Sequence, residues 1–287
     1  MISRRSLSLA FCLAPFSGPA SAQAFARDAL VETVRELERG VDGRLGVAVL
    51  APFGFVSARG DERFPLCSTF KMLAAAAILK RVDQAQESLD RRIVFDASEI
   101  VVGSPVTSQR IGAQGMTIAE ICEAAITRSD NTAGNLMLAA IGGPAGLTQF
   151  ARAIGDPVTR LERVEPDLNE SITGDPRDTT TPLAMLGNLR KLIAADVLSE
   201  ASRAQLSAWL VANKTGDARL RAGFPRDWRI GDKTGTGENG SANDIAVIWP
   251  PGQDPVFVAA YLTGTAASLD ARNAVFASVA QRIASFL

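Results

Sequence analysis

The order of the secondary-structure patterns is the feature that most constrains the fold of this 287-residue chain. Strand patterns occur near both ends, at residues 46–50 and 53–58 and again at 228–234, 242–249 and 255–263. Apolar residues at helical spacing predict helices at 26–39, 68–82, 117–127, 130–141, 144–153, 181–194, 199–211 and 269–286. We therefore expect one sheet built from both ends of the chain, with a helical region inserted between them.

This order predicts an α+β or α/β fold with two domains. The α/β domain is discontinuous (23–60 and 212–287), and its antiparallel sheet is flanked by the N- and C-terminal helices. An all-α domain (61–211) lies between these segments, and the junction is a common location for a binding cleft. Residues 160–178 interrupt the helical pattern and predict an ordered omega-type loop, a kind of segment that often carries function.

The first 22 residues predict a signal peptide, with a buried first helix as the alternative. Arg4 and Arg5 precede a short apolar stretch at 7–16, and Ala20-Ser21-Ala22 matches a cleavage site. The stretch is shorter than the ~20 residues that span a bilayer. Ser3-Arg4-Arg5 is also compatible with twin-arginine export. We expect a periplasmic or secreted bacterial protein with no membrane attachment after cleavage.

Composition narrows the possible chemistry. The chain has no histidine and a formal net charge of −1. The absence of histidine excludes Ser-His-Asp and Cys-His catalytic sites. A net charge close to zero produces no electrostatic field that would attract nucleic acid. Tyr261 is the only tyrosine, so lysines and carboxylates are the first candidates for proton transfer. Cys67 and Cys122 could form a disulfide in an oxidising compartment, but the sequence does not decide this.

Two short motifs place hydroxyl and amine groups at helix starts. Ser68 and Lys71 stand three residues apart at the start of an apolar helix, so they share one face. Without histidine, a lysine with a lowered pKa is the natural base for a serine nucleophile. Ser129-Asp130-Asn131 lies between two helices. Each motif has a structural alternative, namely helix capping.

Two further motifs lie in the second half of the chain. Lys233-Thr234-Gly235, followed by Thr236, ends a strand whose edge could bind an extended, anionic substrate. Lys214-Thr215-Gly216 has the same letters but precedes no strand, so we interpret it as a helix exit. Gly235-x-Gly237-x-x-Gly240 matches a dinucleotide fingerprint, but a strand follows it, which predicts a hairpin turn.

The fourth motif is Glu165-x-x-x-Asn169 in the long loop. A carboxylate and an amide four residues apart could hold one water between them, with the carboxylate as its general base. A solvated loop charge is the alternative. Arg163 and Asp178, near the two ends of the loop, could form an ion pair that closes it.

Together and in this order, the motifs resemble those of class A serine β-lactamases, over about residues 24–287. The resemblance implies that Ser68 is acylated, that Lys71 and Glu165 share proton transfer, and that Ser129 protonates the leaving nitrogen. It implies further that Glu165 and Asn169 hold the deacylating water, and that the backbone N–H groups of Ser68 and Thr236 form the oxyanion hole. Substrate would be bound by Asn131, Lys233, Thr234, Gly235, Thr236 and Arg219.

The sequence departs from the family pattern at several positions. Gly103 stands where many members have an aromatic residue, which implies a more open cleft rim. Ala75 stands where some members carry the cysteine that pairs with Cys122. Gly237 occupies the position at which carbapenem-hydrolysing members often have a bridging cysteine. The Glu165-Pro166 bond resembles the family's cis peptide.

We therefore predict a secreted hydrolase of β-lactam antibiotics that confers resistance, acts as a monomer on small molecules and needs no metal or cofactor. A DD-peptidase or penicillin-binding protein would share the acylation machinery but not the Glu165 water. A non-hydrolytic β-lactam sensor would stay acylated. Spectrum, inhibitor susceptibility, export route and the identity of the acylation base stay open at this point.

Overall fold

A computed structural model of the protein describes residues 19–112 and 114–287, with side chains from residue 22 onward. Most of the predicted signal peptide, residues 1–18, lies outside the described residues. The predicted elements are present, and the largest shift is at the first helix, which begins at Pro19 rather than at residue 26. In the described part of the chain, no helix is both long enough and apolar enough to cross a bilayer.

The elements in chain order are α1 (Pro19–Val41), β1 (Arg44–Ala51), β2 (Gly54–Ala58), β3 (Phe64–Pro65), α2 (Phe70–Asp83), β4 (Arg92–Ile93), β5 (Met116–Thr117), α3 (Ile118–Thr127), α4 (Asn131–Ala140), α5 (Gly143–Ala153), β6 (Thr179–Thr180), α6 (Pro182–Ala194), α7 (Glu200–Val211), α8 (Leu220–Gly223), β7 (Arg229–Thr236), β8 (Ala242–Trp249), β9 (Val256–Thr263) and α9 (Leu269–Ala284). Short 3₁₀ turns lie at Cys67–Thr69, Ala97–Glu99, Thr107–Gln109 and Asp167–Asn169.

Strands from both ends of the chain form one antiparallel five-stranded sheet, in the order β2-β1-β9-β8-β7. The first segment supplies β1 and β2, and the last supplies β7, β8 and β9, as the sequence predicted. This order leaves β7 at an edge of the sheet, so no other strand of the described residues covers one side of the Lys233-Thr234-Gly235 strand. The Gly-rich segment after it is a hairpin turn into β8, as predicted.

Successive residues of the strands contribute alternately to two hydrophobic cores, because side chains of a strand alternate between the faces of a sheet. Ala246 and Val258 pack in the core that contains α1 and α9. Val247 and Ala259 pack in the larger core, which continues into the helical region. Burial on both faces explains why β8 and β9 are almost continuously apolar in sequence.

Residues 61–211 are mainly helical, but they also contain two ribbons of two strands each, β3 with β6 and β4 with β5. No sequence pattern predicts these ribbons, since two-residue strands have no detectable periodicity. The helix α2 runs through the middle of this region, with ten residues from Phe70 to Leu79 buried. The domain limits at 61 and 211 stay a prediction.

The loop 160–178 is ordered and tied at both ends. Arg163 Nε lies 2.6 Å from Asp178 Oδ2, which confirms the predicted pair. The backbone N–H groups of Glu162 and Arg163 also donate to Asp178 Oδ1, at 2.7 and 3.0 Å. The Glu165-Pro166 bond inside the loop is cis, as the resemblance implied. These contacts at its two ends hold the loop that carries Glu165 and Asn169 in place.

Candidate active site

Ser68 lies in the 3₁₀ turn Cys67–Thr69, which leads directly into α2. The sequence left open that its hydroxyl caps the helix, and this alternative is wrong. Neither helix start has a side-chain cap, and Ser68 Oγ instead donates to Glu165 Oε1 at 3.3 Å. The preceding residue, Cys67, adopts a left-handed conformation with φ 42°. The turn thus directs the serine hydroxyl toward charged groups rather than toward its own backbone.

Lys71 is fully buried, and its ammonium has more acceptors than N–H groups. Nζ donates to Ser68 Oγ at 2.9 Å, Ser129 O at 2.8 Å and Asn131 Oδ1 at 2.7 Å. It also lies 2.9 Å from Glu165 Oε1. Three protons therefore serve four oxygens. Burial lowers the pKa of Lys71, while the Glu165 carboxylate opposes that shift. The amine is thus placed to exchange a proton with Ser68 Oγ or with Glu165 Oε1.

Glu165 is held by its backbone and by its side chain. Asn135, one helical turn beyond Asn131, accepts from the Glu165 N–H at 2.8 Å and donates to the Glu165 carbonyl at 2.9 Å. Asn169 Nδ2 donates to Glu165 Oε2, so the predicted carboxylate–amide pair forms. Among the described residues, Asn169 Oδ1 is buried and has no hydrogen-bond partner. It remains available as an acceptor beside the Glu165 carboxylate.

The Ser129-Asp130-Asn131 segment is a turn in which each residue has a separate role. Asp130 caps α4 by accepting from the Ala133 N–H at 2.8 Å, so the capping alternative holds for this residue. Ser129 has a left-handed conformation, φ 55°. Asn131 donates from Nδ2 to Val102 O at 2.8 Å, and its Oδ1 points at Lys71. The cap at Asp130 therefore leaves the side chains on either side of it free to face the cleft.

Lys233 reaches from β7 to the same turn. Its Nζ donates to Ser129 Oγ at 3.0 Å and to Thr234 O at 2.8 Å. Burial is the main cause that lowers the pKa of Lys233 to about 7, and the charge of Lys71 is the next. The two lysines thus approach the cleft from different elements, with Ser129 between them.

Arg219 is buried, and its guanidinium fixes the end of β7. Its Nη1 donates to Gly235 O at 2.7 Å and to Asn243 O at 2.6 Å, and Nη2 donates to Thr236 Oγ1 at 2.7 Å. Nε donates to Asn273 Oδ1 at 2.9 Å. The guanidinium thus holds Thr236 where the cleft opens.

These residues surround one cleft of about 620 Å³ between the sheet edge and the helical region. The predicted site residues in its wall are Ser68, Ser129, Asn131, Arg219, Thr234, Gly235 and Thr236. Lys71, Glu165 and Lys233 are buried behind that wall and reach it through the hydrogen bonds above. The structure therefore brings together all four motifs.

Two residues of the site escaped the sequence interpretation. Thr215, in the segment that the sequence predicts to be a helix exit, lines the cleft, and its Oγ1 lies 2.6 Å from Thr234 Oγ1. Only the folded chain brings the exit of α7 next to β7. Asn135 carried a usable signal, because it lies four residues after Asn131 and so on the same helix face.

Cys67 and Cys122 are both buried, free thiols, so no disulfide joins them. A Cβ placed on Gly237 would lie 2.8 Å from Cys67 Sγ. The two positions are therefore adjacent, and with a glycine at 237 no bridge forms between them.

Comparisons of this chain with known proteins all indicate the same family. A sequence profile of the beta-lactamase enzyme family matches residues 29–287. Beta-lactamase OXY-2 of Klebsiella oxytoca is 46% identical over 256 residues, 88% of each chain. Beta-lactamase AST-1 of Nocardia asteroides is 48% identical over 254 residues, 88% of this chain and 82% of that protein.

The similar solved structures belong to the same family. A class A β-lactamase described as the last common ancestor of Gram-negative bacteria has a TM-score of 0.88 and 62% identity, covering 90% of this chain and 98% of its own. A putative class A β-lactamase, PenP, from Rhodopseudomonas palustris has a TM-score of 0.88 and 55% identity, covering 91% and 100%. The chain belongs to the beta-lactamase enzyme family and is a class A β-lactamase.

Proposed function

We propose that this protein hydrolyses β-lactam antibiotics through an acyl-enzyme on Ser68, which water activated by Glu165 then releases. The observation that carries the proposal is the position of Ser68 Oγ, 2.9 Å from Lys71 Nζ and 3.3 Å from Glu165 Oε1. A serine becomes nucleophilic only next to a base. Here a lysine and a carboxylate both reach it.

Acylation begins when Ser68 Oγ attacks the carbonyl carbon of the strained cyclic amide. Its proton moves into the Lys71–Glu165 pair, and the developing oxyanion accepts from the backbone N–H groups of Ser68 and Thr236. The lowered pKa of Lys71 favours its neutral form, while the Glu165 carboxylate favours its charged form. In this proposal the two groups share the base function, because both lie within reach of Ser68 Oγ.

Collapse of the tetrahedral state breaks the carbon–nitrogen bond of the lactam. Ser129 supplies a proton to the departing nitrogen, and Lys233, 3.0 Å from Ser129 Oγ, supports that transfer. Lys233, Thr234 and Thr236 bind the substrate carboxylate, with Arg219 behind Thr236 and Gly235 contributing backbone. Asn131 binds the side-chain amide of the substrate.

Deacylation requires a water beside the ester. Glu165 Oε2 and Asn169 face each other, and Asn169 Oδ1 is a free acceptor among the described residues. The carboxylate takes a proton from the water as the water attacks the Ser68 ester. Asn135 keeps Glu165 in place for this step through both of its backbone hydrogen bonds.

The same proposal includes export and a resistance role. The predicted signal peptide at 1–22 supports a periplasmic or secreted location, where a hydrolase would meet β-lactams before they reach their targets. The mature protein is proposed to act as a monomer on small molecules, without nucleic acid or membrane.

Turnover of a chromogenic cephalosporin, followed together with intact mass, tests this proposal. We expect many turnovers by the parent and a stable adduct on Ser68 in a Glu165→Gln variant. A parent that stops after one stoichiometric adduct would instead be a penicillin-binding protein or a sensor. A Glu165→Gln variant that deacylates as fast as the parent would show that Glu165 does not activate the water.

A further inference from the structure

Asn243, in β8, connects the sheet to the turn that carries Ser68. Its side chain is fully buried, and Nδ2 donates to two carbonyls just before that turn, Pro65 O at 2.9 Å and Leu66 O at 3.2 Å. These contacts cross 177 and 178 positions of sequence. They are therefore tertiary contacts between the sheet and the turn.

Tyr261 makes the matching contact on the other side of Ser68. It is the register partner of Asn243 on β9, and its hydroxyl lies 3.2 Å from Thr69 Oγ1. Both side chains belong to the sheet face that packs on the helical region. The turn is therefore held by the sheet at the carbonyls before Ser68 and at the residue after it.

The turn also lies directly on β7. Gly235 is the register partner of Asn243 on that strand. A Cβ added to Gly235 would lie 3.0 Å from Cys67 Cβ and 3.1 Å from both Asn243 Nδ2 and Leu66 O. A side chain at Gly235 would push the turn away from β7, so the glycine permits this approach and Asn243 maintains it.

We propose that Asn243 is a positioning residue that sets the separation between the backbone N–H of Ser68 and that of Thr236. The inference rests on the proposed function, in which these two groups stabilise the oxyanion. One N–H comes from the turn and the other from β7, so their spacing depends on how the turn sits on the sheet. Asn243 spans that boundary from the strand next to β7.

The consequence is catalytic rather than only structural. Removing one oxyanion donor typically costs 10²–10³ in rate, and a displacement of about 1 Å can cost ~100-fold. A shift of the turn after loss of Asn243 would therefore lower transition-state stabilisation more than substrate binding. We expect Asn243→Ala to reduce kcat/KM about 10- to 100-fold, mainly through kcat.

Ser241→Ala is the matched control. Ser241 is also fully buried on the same hairpin, and its hydroxyl lies 2.7 Å from Thr263 Oγ1, away from the turn. Both substitutions remove a buried hydrogen-bonding group from this part of the sheet, and Asn243→Ala removes the larger side chain. We expect parent-like kinetics for Ser241→Ala, and thermal denaturation midpoints well above the assay temperature for both variants.

Affinity for a phenylboronic acid separates positioning from general destabilisation. Ser68 Oγ adds to boron while its proton leaves to the neighbouring base, and one boronate oxygen occupies the oxyanion position. We expect the affinity of Asn243→Ala for this compound to fall by about the same factor as kcat/KM. A parent-like boronate affinity, or kcat/KM within twofold of the parent, would overturn the proposal.

A different result is expected if the proposed acylation of Ser68 is itself wrong. If Ser68 were not the nucleophile, the parent itself would form no boronate adduct and no acyl adduct at this residue. Should Asn243→Ala not fold, Tyr261→Phe removes the other contact and keeps the buried ring. It is expected to lower kcat/KM and boronate affinity together by a few-fold, and unchanged values for both would also overturn the proposal.

Discussion

Lys71 Nζ lies 2.9 Å from Glu165 Oε1, and neither side chain is exposed to solvent. The pair joins α2 to the omega-type loop, so it links the nucleophile's helix to the carboxylate proposed for deacylation. A buried ion pair is a weak source of net stability, but removal of one partner leaves an uncompensated charge, at a cost of about 3–5 kcal/mol.

The first prediction concerns the coupling within this pair. Lys71→Met should lower the free energy of unfolding by about 3–5 kcal/mol, because Glu165 would remain buried without its cation. Adding Glu165→Gln should recover part of that loss, since no unpaired charge remains. Urea unfolding of the parent, both single variants and the double variant measures this coupling. Strictly additive effects would show that the two charges do not stabilise each other.

The sequence predicted the motifs of this site better than their surroundings. Ser68, Lys71, Glu165 and Lys233 were identified because each belongs to a short pattern with its own chemistry. Thr215 was not, because its contact with Thr234 exists only when the exit of α7 meets β7 in the folded chain. A short sequence motif predicts the geometry of neighbouring residues in the chain. Which residues face each other across the cleft depends on how whole helices and strands pack.

Gly103 illustrates the same limit, because its absent side chain predicted only a more open rim. In the structure its φ is 83°, and an added Cβ would lie 2.7 Å from Asn131 Nδ2. Its carbonyl also accepts from the Asn131 N–H at 3.0 Å. The glycine therefore permits close contact with a residue that binds Lys71.

The second prediction follows from that contact. If Gly103 only opened the rim of the cleft, a side chain at this position would alter mainly KM. We now expect Gly103→Ala to lower kcat as well, by about 10-fold, because it displaces Asn131 from Lys71. Val102→Ala is the control, since that side chain is 76% exposed and its backbone contact with Asn131 is kept. A parent-like kcat with a changed KM would show that a side chain at position 103 affects only the openness of the cleft rim.

The third prediction concerns pH. Burial, with the charge of Lys71 as the next cause, lowers the pKa of Lys233 to about 7. Below that pH the ammonium is charged and attracts a substrate carboxylate; above it the charge is lost. For a carboxylate substrate, kcat/KM should therefore fall on the alkaline side, with an apparent pKa near 7 in the free enzyme.

Lys233→Arg tests this assignment, because a guanidinium stays charged throughout the accessible pH range. We expect lower activity at neutral pH than in the parent, and an alkaline fall in kcat/KM that moves to higher pH. Steady-state rates measured from about pH 5 to about pH 10 provide the measurement, because this range runs from below the lowered pKa of Lys233 to near the ordinary lysine value of about 10.4. If the alkaline limb is the same in parent and variant, another group controls it.

The last prediction concerns Arg219. Its guanidinium donates to two backbone carbonyls, Gly235 O and Asn243 O, and to Thr236 Oγ1 and Asn273 Oδ1. Lysine has no planar fork and cannot reach four acceptors. Arg219→Lys should therefore raise KM about 10-fold for a carboxylate substrate, because Thr236 loses its support.

A pair of substrates distinguishes this role from loss of folding. The methyl ester of the same β-lactam lacks the anionic group, so Arg219→Lys should affect its hydrolysis much less and reduce the parent's preference for the free acid. Arg226→Lys, at an exposed arginine, is the matched control and should keep that preference. If Arg219→Lys slows hydrolysis of acid and ester by the same factor, Arg219 supports the strand without contributing to carboxylate recognition.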